Sequence, residues 1–429
     1  MMATIAVVGT GYVGLAAGAC LAELGHRVHC SDVDGDKVRL LRAGNVDIVE
    51  PGLGELVRSE LANGRLSFLT TPTVSDADFV FLCVPTPMAA DGGADLSAVT
   101  SVVHQIRDQL PSGCVLVNKS TVPVGTAAMV SELLNGRVPV VSNPEFLREG
   151  SAVHDFLHPD RIVVGSDDPT AARRVAELYA ALHAPVLVTS TASAELIKYA
   201  ANSFLAVKLS YANAIAELCE RLGADVADVV KGVGQDHRIG ESFLRAGPGW
   251  GGSCLPKDTS ALLRTASAAG QHFSLLEAAI VTNARQRERV VAKIRGALGG
   301  ELRGARICLL GLAFKAGTND MRDSPALAVA AALAAEGAEL TGYDPVVTAD
   351  VPGLRVVDDP YEAVKDAGVI VLLTEWPEFR GLEWTAIRAL AAGDVVVDAR
   401  NHLDPVAVTA AGMRWRGIGC SRGVTTPDT

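Results

Sequence analysis

The sequence predicts an α/β protein with two Rossmann-like doubly wound domains, joined by an α-helical linker domain built around one long helix. Short apolar runs alternate with helical patterns in both halves of the 429-residue chain, which is typical of parallel sheets covered by helices. Between these halves, the stretch from about residue 192 to 222 is amphipathic, lacks proline and is followed by Gly223. That stretch predicts the long helix.

The first half of the chain contains the clearest strand and helix patterns. Residues 4–9 predict a buried strand, residues 12–24 a helix stopped by Gly25, and residues 26–32 a second strand. Further apolar runs predict strands at 79–84, 115–118, 138–142, 161–165 and 185–189. We assign residues 1–190 to the first α/β domain.

The rest of the chain predicts a helical block and then a second α/β block. A further helical pattern covers residues 256–295, and we assign residues 191–296 to the linker domain. Strand and helix patterns resume with strands within 306–314, 339–345, 369–376 and 394–400 and a helix over 324–336. We assign residues 297–420 to the second α/β domain. The tail, residues 421–429, is polar without periodicity, which predicts disorder.

Composition excludes several classes of protein. Hydrophobic residues make up 49% and charged residues 20% of the chain, which is typical of a soluble globular protein. The formal charge is −11 and no basic block occurs, so nucleic-acid binding is not expected. No apolar run has membrane-spanning length. None of the eight cysteines falls in a CxxC pair, so neither a metal site nor a disulfide framework is expected. With no leader before the first strand, we expect a cytoplasmic protein.

The segment IAVVGTGYVG places three glycines between the first predicted strand and helix. Gly9 permits a tight turn, Gly11 lets the backbone approach a pyrophosphate, and Gly14 lets the helix pack closely on the strand. Asp32, at the end of the second strand, can accept hydrogen bonds from both ribose hydroxyls and repels a 2′-phosphate, which favours NAD over NADP. Lys37 is a further candidate for the ribose. FAD is the competing ligand, but no FAD-type domain follows.

A second informative stretch is GPGWGGSCLPKDTSALL, residues 247–263. Its glycines form a flexible platform before Cys254, and Pro256 predicts the first position of a helix. Cys254 would then lie at a helix N-terminus beside Lys257, and both features favour the thiolate nucleophile. Asp258 lies one helical turn further along, and its negative charge would disfavour the thiolate. The alternative is a cysteine buried as a small hydrophobe, for which a polar glycine-rich loop is a poor place.

Three further groups carry candidate catalytic residues. Lys198 and Asn202 are spaced four residues apart on the long helix, and such a pair can hold an oxyanion or a water. Thr121 follows one predicted strand end, and Glu145 and Glu149 follow the next. Ligands of doubly wound sheets bind outside the carboxyl ends of strands, so these residues could converge on a nicotinamide. The alternatives are a solvated Lys/Asn pair and a loop carboxylate that caps a helix.

Taken together, these motifs resemble the UDP-glucose/GDP-mannose dehydrogenase family. The resemblance runs along nearly the whole chain through GTGYVGL, EPGL, VPTP, KSTVPVGT, NPEFLREGSAV, AELIKYAAN, RIG, GGSCLPKD, GLAFKAGTNDMRDSP, YDP and DAR. It implies an NAD domain, a helical linker that dimerises and a C-terminal nucleotide-sugar domain. It also implies a four-electron oxidation of a sugar C6 alcohol to a carboxylate, with two NAD reduced.

The resemblance assigns roles to individual residues. Cys254 resembles the nucleophile that captures the aldehyde, and Lys198 and Asn202 the pair that stabilises the oxyanion and positions water. Asp258, Thr121 and Glu145 resemble the group that handles protons and orders water. The cofactor contacts implied are Gly9, Gly11, Tyr12, Val13, Gly14, Asp32, Lys37, Pro85, Thr86, Thr121, Glu149, Lys257 and Arg322. The substrate contacts implied are Glu145, Phe146, Leu147, Lys198, Asn202, Arg238 (which may come from a partner subunit), Phe243, Arg245, Gly249, Gly251, Phe314, Lys315 and Arg400.

The substrate implied is UDP-glucose, because NPEFLREGSAVHDFLHPDRIVVG and RIGESFL resemble that branch of the family. GDP-mannose is the runner-up, since Leu255 and Trp250 depart from the residues usual in the UDP-glucose branch, and UDP-N-acetyl sugars rank lower. Two other classes remain open. A two-electron β-hydroxyacid dehydrogenase would not need Cys254, and a non-catalytic nucleotide-sugar sensor would not need to keep Cys254, Lys198 and Asp258 together.

Overall fold

The computed structural model of the chain describes residues 2–420, so the predicted disorder of residues 421–429 lies outside the described residues. Within that range the chain forms two compact units. Unit 1 comprises the described residues up to Ala201 and Ser260–Gln271, and unit 2 comprises Asn202–Thr259 and the described residues from His272 onward. The division into residues 1–190, 191–296, 297–420 and 421–429 expected from the sequence stays a prediction.

Unit 1 contains an eight-stranded sheet. Its strands are β1 (Thr4–Val8), β2 (Arg27–Ser31), β3 (Leu66–Leu69), β4 (Phe79–Leu82), β5 (Val115–Asn118), β6 (Val140–Ser142), β7 (Ile162–Gly165) and β8 (Val186–Thr189). Its helices are α1 (Tyr12–Glu23), α2 (Gly35–Arg42), α3 (Leu53–Ala62), α4 (Ser97–Ile106), α5 (Thr126–Leu133), α6 (Ala152–Leu157) and α7 (Pro169–Leu178), with a 3₁₀ turn at Ala180–Leu182. The strand order is β3-β2-β1-β4-β5-β6-β7-β8.

Helices cover both faces of this sheet. Ile5 and Val7 of β1 lie in one apolar cluster, and Ala6 and Val8 lie in another, because successive strand residues point to opposite faces. Both clusters contain buried helical residues, which explains why the central strands read as continuous apolar runs. The predicted doubly wound architecture is confirmed.

Two helices contribute to both units. Helix α8 (Thr191–Leu222) contains the boundary between Ala201 and Asn202, and α10 (Leu255–Ala268) contains the boundary between Thr259 and Ser260. Unit 2 also has α9 (Val226–Gly234), α11 (Ser274–Ala297), α12 (Pro325–Ala335), α13 (Pro360–Ala363), α14 (Trp384–Leu390), α15 (Pro405–Ala410) and a 3₁₀ turn at Pro377–Gly381. Its strands are β9 (Arg306–Leu310), β10 (Glu339–Tyr343), β11 (Leu354–Val356), β12 (Val369–Leu372), β13 (Val395–Asp398) and β14 (Arg414–Gly417).

The six-stranded sheet of unit 2 has the order β11-β10-β9-β12-β13-β14, and its paired strands run parallel. This is the strand order of a dinucleotide-binding Rossmann domain, with the order reversing between β9 and β12. The second α/β domain and the long helix over 192–222 are therefore confirmed.

The structure corrects four details of the sequence prediction. Strands β6 and β7 pair antiparallel, so the first sheet is not wholly parallel. Residues 256–295 are not one helical block, because α10 ends before Gly270, which has a φ of +76° that a continuing helix cannot use. Helix α10 begins one residue before Pro256. Strands β3, β11 and β14 were not predicted, and all three are short edge strands.

Two kinds of feature are absent from residues 2–420. No helix in this range is long and apolar enough to cross a membrane. The same residues contain no group of three or more histidine, cysteine, aspartate or glutamate side chains placed to hold a metal ion.

Candidate active site

The glycine-rich turn between β1 and α1 has the geometry of a phosphate-binding loop. Gly9 has a φ of +97°, and a Cβ there would lie 2.6 Å from the Cys83 carbonyl oxygen. A Cβ at Gly14 would lie 1.9 Å from the Gly9 carbonyl oxygen, so α1 packs against the turn as only glycine allows. A Cβ on Gly11 would meet nothing within 4 Å, so open space faces the backbone there. The turn leaves room for a pyrophosphate beside the helix N-terminus.

Asp32 lies just after β2, and its carboxylate is held by the same turn. Its Oδ2 accepts hydrogen bonds from Thr10 N at 2.9 Å and Thr10 Oγ1 at 2.6 Å. Burial by itself would raise the pKa of Asp32, but the Thr10 and Asp34 hydrogen bonds and the charge of Lys37 hold that pKa below its usual range. Asp32 is therefore an ionised acceptor at neutral pH, which fits ribose hydroxyls and disfavours a 2′-phosphate.

The other predicted cofactor residues of unit 1 surround this carboxyl edge of the sheet. Thr86, after β4, is buried, and its Oγ1 donates to the Thr121 carbonyl oxygen at 2.8 Å. The hydroxyl oxygen of Tyr12, at the start of α1, accepts a hydrogen bond from Gly150 N at 2.6 Å. The remaining members are exposed or half-buried: Val13, Lys37, Pro85 and Glu149. All of these positions thus lie in the loops and helix starts that follow β1, β2, β4, β5 and β6.

A buried ion pair joins Lys198 of α8 to the loop after β6. Lys198 Nζ lies 2.9 Å from Glu145 Oε1, and each side chain is 5% exposed. Phe146 packs over this pair, with its ring centre 5.5 Å from Lys198 Nζ, and Leu147 N donates to the other Glu145 oxygen. A charged amine held in an apolar setting can stabilise a developing oxyanion strongly, because little water screens it.

A second buried group lies in unit 2 around Asp258. This carboxylate is fully buried and accepts hydrogen bonds from Asn202 Nδ2 and from Lys257 Nζ, both at 2.6 Å. Asp258 lies in the first turn of α10, so the positive end of that helix also favours its charge. Lys257 therefore pairs with Asp258, and its predicted position beside the Cys254 thiol stays a prediction.

Cys254 lies immediately before α10. The Asp258 N–H donates to the Cys254 carbonyl oxygen at 2.9 Å, which makes Cys254 the residue that caps the helix. Of the eight cysteines, Cys254 is exposed, Cys420 is half-buried and the other six are buried. The thiol of Cys254 is thus both accessible and close to the positive end of a helix, a setting that favours thiolate.

The loop before Cys254 is held tightly within unit 2. Gly247 N donates to Asn213 Oδ1 of α8 at 2.8 Å, and Trp250 N donates to Asn283 Oδ1 of α11 at 2.7 Å. A Cβ on Gly251 would lie 2.0 Å from the Asp323 carbonyl oxygen, so the backbone passes too close for any other residue. Gly249 has a φ of +114°. This loop is therefore a rigid backbone surface rather than a flexible platform.

The remaining predicted substrate and cofactor residues of unit 2 fall into three groups. Phe314, Lys315 and Arg400 follow the carboxyl ends of β9 and β13, and Arg400 Nη2 donates to the Phe314 carbonyl oxygen at 3.1 Å. Arg238 and Arg322 are exposed, and their guanidinium groups bond to Asp236 and Asp320 respectively. The loop 241–246 contributes exposed Arg245 and half-buried Phe243, whose φ of +62° is unusual for a bulky side chain.

Sequence reasoning missed two buried charged residues beside the Lys198–Glu145 pair. Lys119 Nζ donates to Asn143 Oδ1 at 3.1 Å, and burial lowers the pKa of Lys119 to about 8. Glu195 of α8 is 3% exposed and binds the N-terminus of α5. Both lie within quoted motifs, but only their burial, which depends on residues distant in sequence, separates them from solvated charges.

Comparison with known proteins identifies the family. Models described as the NAD binding, central and UDP binding domains of the UDP-glucose/GDP-mannose dehydrogenase family match residues 3–183, 192–285 and 308–405. UDP-glucose 6-dehydrogenase TuaD of Bacillus subtilis (strain 168) is 44% identical over 97% of this chain and 93% of its own length. The chain belongs to the UDP-glucose/GDP-mannose dehydrogenase family. The resemblance expected from the sequence motifs is therefore confirmed.

A second sequence relative and a solved structure support the same family assignment. UDP-glucose 6-dehydrogenase of Rhizobium meliloti (strain 1021) is 45% identical over 97% of this chain and 99% of its own length. The structure of a UDP-glucose dehydrogenase from the archaeon Pyrobaculum islandicum superimposes with a TM-score of 0.90 at 38% identity, covering 98% of each chain. The chain is an NAD-dependent oxidoreductase, and the predicted cofactor is confirmed.

Proposed function

We propose that this family member oxidises the C6 hydroxyl of UDP-glucose to a carboxylate, giving UDP-glucuronate. The observation that carries the proposal is the exposed Cys254 at the N-terminus of α10, one turn before a fully buried Asp258. A dehydrogenase that stops at an aldehyde or ketone has no use for a thiol. The names of the relatives in Bacillus subtilis, Rhizobium meliloti and Pyrobaculum islandicum support UDP-glucose as the sugar.

Cys254 is the nucleophile of the second oxidation. Its thiolate adds to the C6 aldehyde, forming a C–S bond while the carbonyl oxygen takes a proton, and the product is a thiohemiacetal. NAD, when bound, would supply the oxidising equivalents for both oxidations, alcohol to aldehyde and thiohemiacetal to thioester, so two NAD would be consumed per sugar. Water then attacks the thioester carbon, the C–S bond breaks, and the carboxylate and the Cys254 thiol are released.

The buried polar groups have roles that follow from their charges. Lys198 donates to the oxyanion at C6, and its hydrogen bond to Glu145 holds the amine in place. Asn202 positions the attacking water, and Asp258 fixes the Asn202 amide. Thr121 and Glu145 order water and exchange protons with it. Each role is assigned by chemistry and by the family resemblance.

NAD would be held by the loops at the carboxyl edge of the first sheet. The open space at Gly11 fits the pyrophosphate, and the Asp32 carboxylate fits the ribose hydroxyls. The other contacts implied by the family resemblance are Gly9, Tyr12, Val13, Gly14, Lys37, Pro85, Thr86, Thr121, Glu149, Lys257 and Arg322.

For the UDP-sugar we assign the contacts that the family resemblance implies. They are Glu145, Phe146, Leu147, Lys198, Asn202, Arg238, Phe243, Arg245, Gly249, Gly251, Phe314, Lys315 and Arg400. GDP-mannose is the alternative sugar nucleotide, raised by Leu255 and Trp250. The Trp250 indole is buried and its N–H donates to Ser210 Oγ at 2.9 Å, so this residue is a poor marker of the sugar.

Counting NADH per sugar tests the proposed function. With excess NAD and limiting UDP-glucose we expect two NADH per sugar, measured by absorbance, with carboxylate product identified by mass spectrometry. GDP-mannose run in parallel should be inert. Turnover of GDP-mannose alone would overturn the substrate but keep the chemistry. One NADH per sugar would contradict the thioester route, and binding without NADH would indicate a sensor.

We further propose a homodimer formed through α8. Phe204, Tyr211 and Leu218 recur every seven residues on this helix, which places them on one face, and each is about half exposed or more. Leu222 extends the stripe by one turn and is 72% exposed. A stripe of large apolar side chains on one helix face is typical of a buried interface.

Charged substitutions test this interface. The double variant Phe204→Glu/Tyr211→Glu should shift the mass measured by light scattering from dimer to monomer, because the interface would bury four unpaired carboxylates. Val406→Glu, which adds a carboxylate at an exposed apolar position on α15, is the control and should remain dimeric. A double variant with wild-type mass would exclude α8 as the interface.

A cytoplasmic location is also proposed, because a catalytic thiol needs a reducing compartment.

A further inference from the structure

Glu195 joins three segments of unit 1. Its Oε2 accepts a hydrogen bond from Gly125 N at 2.7 Å, and its Oε1 accepts one from Ala127 N at 2.7 Å. Ser142 Oγ, at the end of β6, donates to Oε1 at 3.3 Å. One carboxylate therefore links α8, the N-terminus of α5 and the end of β6.

The N-terminus of α5 requires such an acceptor. The first N–H groups of a helix have no partner within it, and the residue before α5 is Gly125, which has no side chain to cap them. Glu195 supplies both the oxygens and the negative charge that the positive end of the helix favours. Burial raises the pKa of Glu195, and the three hydrogen bonds oppose that rise. The hydrogen bonds thus stabilise the buried carboxylate, and the carboxylate in turn satisfies N–H groups at the start of α5.

Both linked segments carry residues assigned to the reaction. Lys198 lies three residues after Glu195, on the same face of α8. Thr121 lies in the short connection between β5 and α5, four residues before Gly125. The position of α8 against α5 therefore sets the position of Lys198 relative to Thr121.

A small cavity lies beside these residues. Glu195, Lys198, Thr121 and Asn118 all border one small cavity of about 10 Å³, room for roughly one water. The Asn118 amide is 2% exposed, and neither of its polar atoms has a hydrogen-bond partner among residues 2–420. The Glu195 hydrogen bonds tie the two segments together beside this cavity.

We propose that Glu195 is a positioning residue, which clamps α8 onto the N-terminus of α5 and so holds Lys198 and Thr121 in their reactive arrangement. This inference rests on the roles proposed above for Lys198 and Thr121. Glu195 itself is not proposed to touch the substrate.

The test compares Glu195→Gln with a matched control. Glutamine keeps the shape but puts an NH₂ against the N–H of Gly125 or Ala127, so one of the two hydrogen bonds is lost. The control is Glu60→Gln in the same unit, because Glu60 is fully buried and accepts hydrogen bonds from Asn63 and Arg65 away from the site. We expect kcat to fall about 10-fold or more in Glu195→Gln, with the Kd for NAD within about twofold.

The control should lose thermal stability to a similar extent while its kcat stays within about twofold. In the Lys198→Met background, Glu195→Gln should change kcat by less than about twofold, because the residue it positions is gone. Equal kcat for Glu195→Gln and Glu60→Gln, measured well below both unfolding midpoints, would overturn the inference.

Hydrogen exchange gives a readout that needs no substrate. Peptides covering residues 119–127 and 192–200 should exchange faster in Glu195→Gln than in wild type, and at wild-type rates in Glu60→Gln. Unchanged exchange in Glu195→Gln would contradict the clamp. A wild-type protein that produces no NADH from UDP-glucose would instead contradict the proposed function, and the exchange experiment would still decide on the clamp.

Discussion

Replacing Cys254 with alanine should lower the rate of carboxylate formation from UDP-glucose by at least about a thousandfold. Alanine removes the atom that captures the aldehyde, so no thiohemiacetal forms and the second hydride transfer loses its substrate. A thousandfold loss corresponds to about 4 kcal/mol of transition-state stabilisation. The first oxidation does not use the thiol, so at most about one NADH per sugar should appear. NADH absorbance and mass spectrometry of the sugar product measure both quantities.

Two companion experiments separate lost chemistry from lost structure. Cys254 is exposed, so alanine there should leave the thermal unfolding midpoint within about 2 °C of wild type. Iodoacetamide should alkylate Cys254 before the half-buried Cys420, and UDP-glucose with NAD should protect Cys254. If Cys254→Ala formed two NADH per UDP-glucose at the wild-type rate, the thioester route would be contradicted.

Features determined by residues close together in the chain could be predicted from the sequence, and features that depend on distant residues could not. The β1–α1–β2 unit and its three glycines were predictable, because a turn, a helix start and a strand end are all encoded within about 30 residues. Strands β3, β11 and β14 were missed because edge strands are short and partly polar, so they carry no apolar run. The antiparallel pairing of β7 was missed because apolar content does not encode strand direction.

The candidate active site also contains features set locally and features set by distant residues. Cys254 at a helix N-terminus could be predicted from Pro256 and the preceding glycines, although α10 begins one residue earlier. The contact between Asn202 and Asp258 could not, because the two residues are 56 positions apart and their 2.6 Å hydrogen bond depends on how α8 packs against α10. Glu195 likewise acquires its partners about 70 residues away, by packing alone.

Replacing Lys198 with methionine should lower kcat by about 100-fold or more and also destabilise unit 1. The amine is lost from the oxyanion, and Glu145 is left as a buried carboxylate without its counter-charge. Breaking a buried ion pair costs about 3–5 kcal/mol, which in a unit of about 200 residues lowers the unfolding midpoint by about 6 °C or more. Calorimetry and steady-state kinetics measure the two effects.

The double variant Lys198→Met/Glu145→Gln separates those effects. Removing both charges removes the unpaired carboxylate, so much of the lost stability should return, since a buried ion pair can be replaced by neutral groups at little cost. The activity should not return, because no cation remains to face the oxyanion. The exposed pair Arg39–Asp36 is the control, and Arg39→Met should cost under about 1 kcal/mol. If the double variant regained both stability and kcat, Lys198 would be a structural residue, and the cation of this site would have to be sought elsewhere.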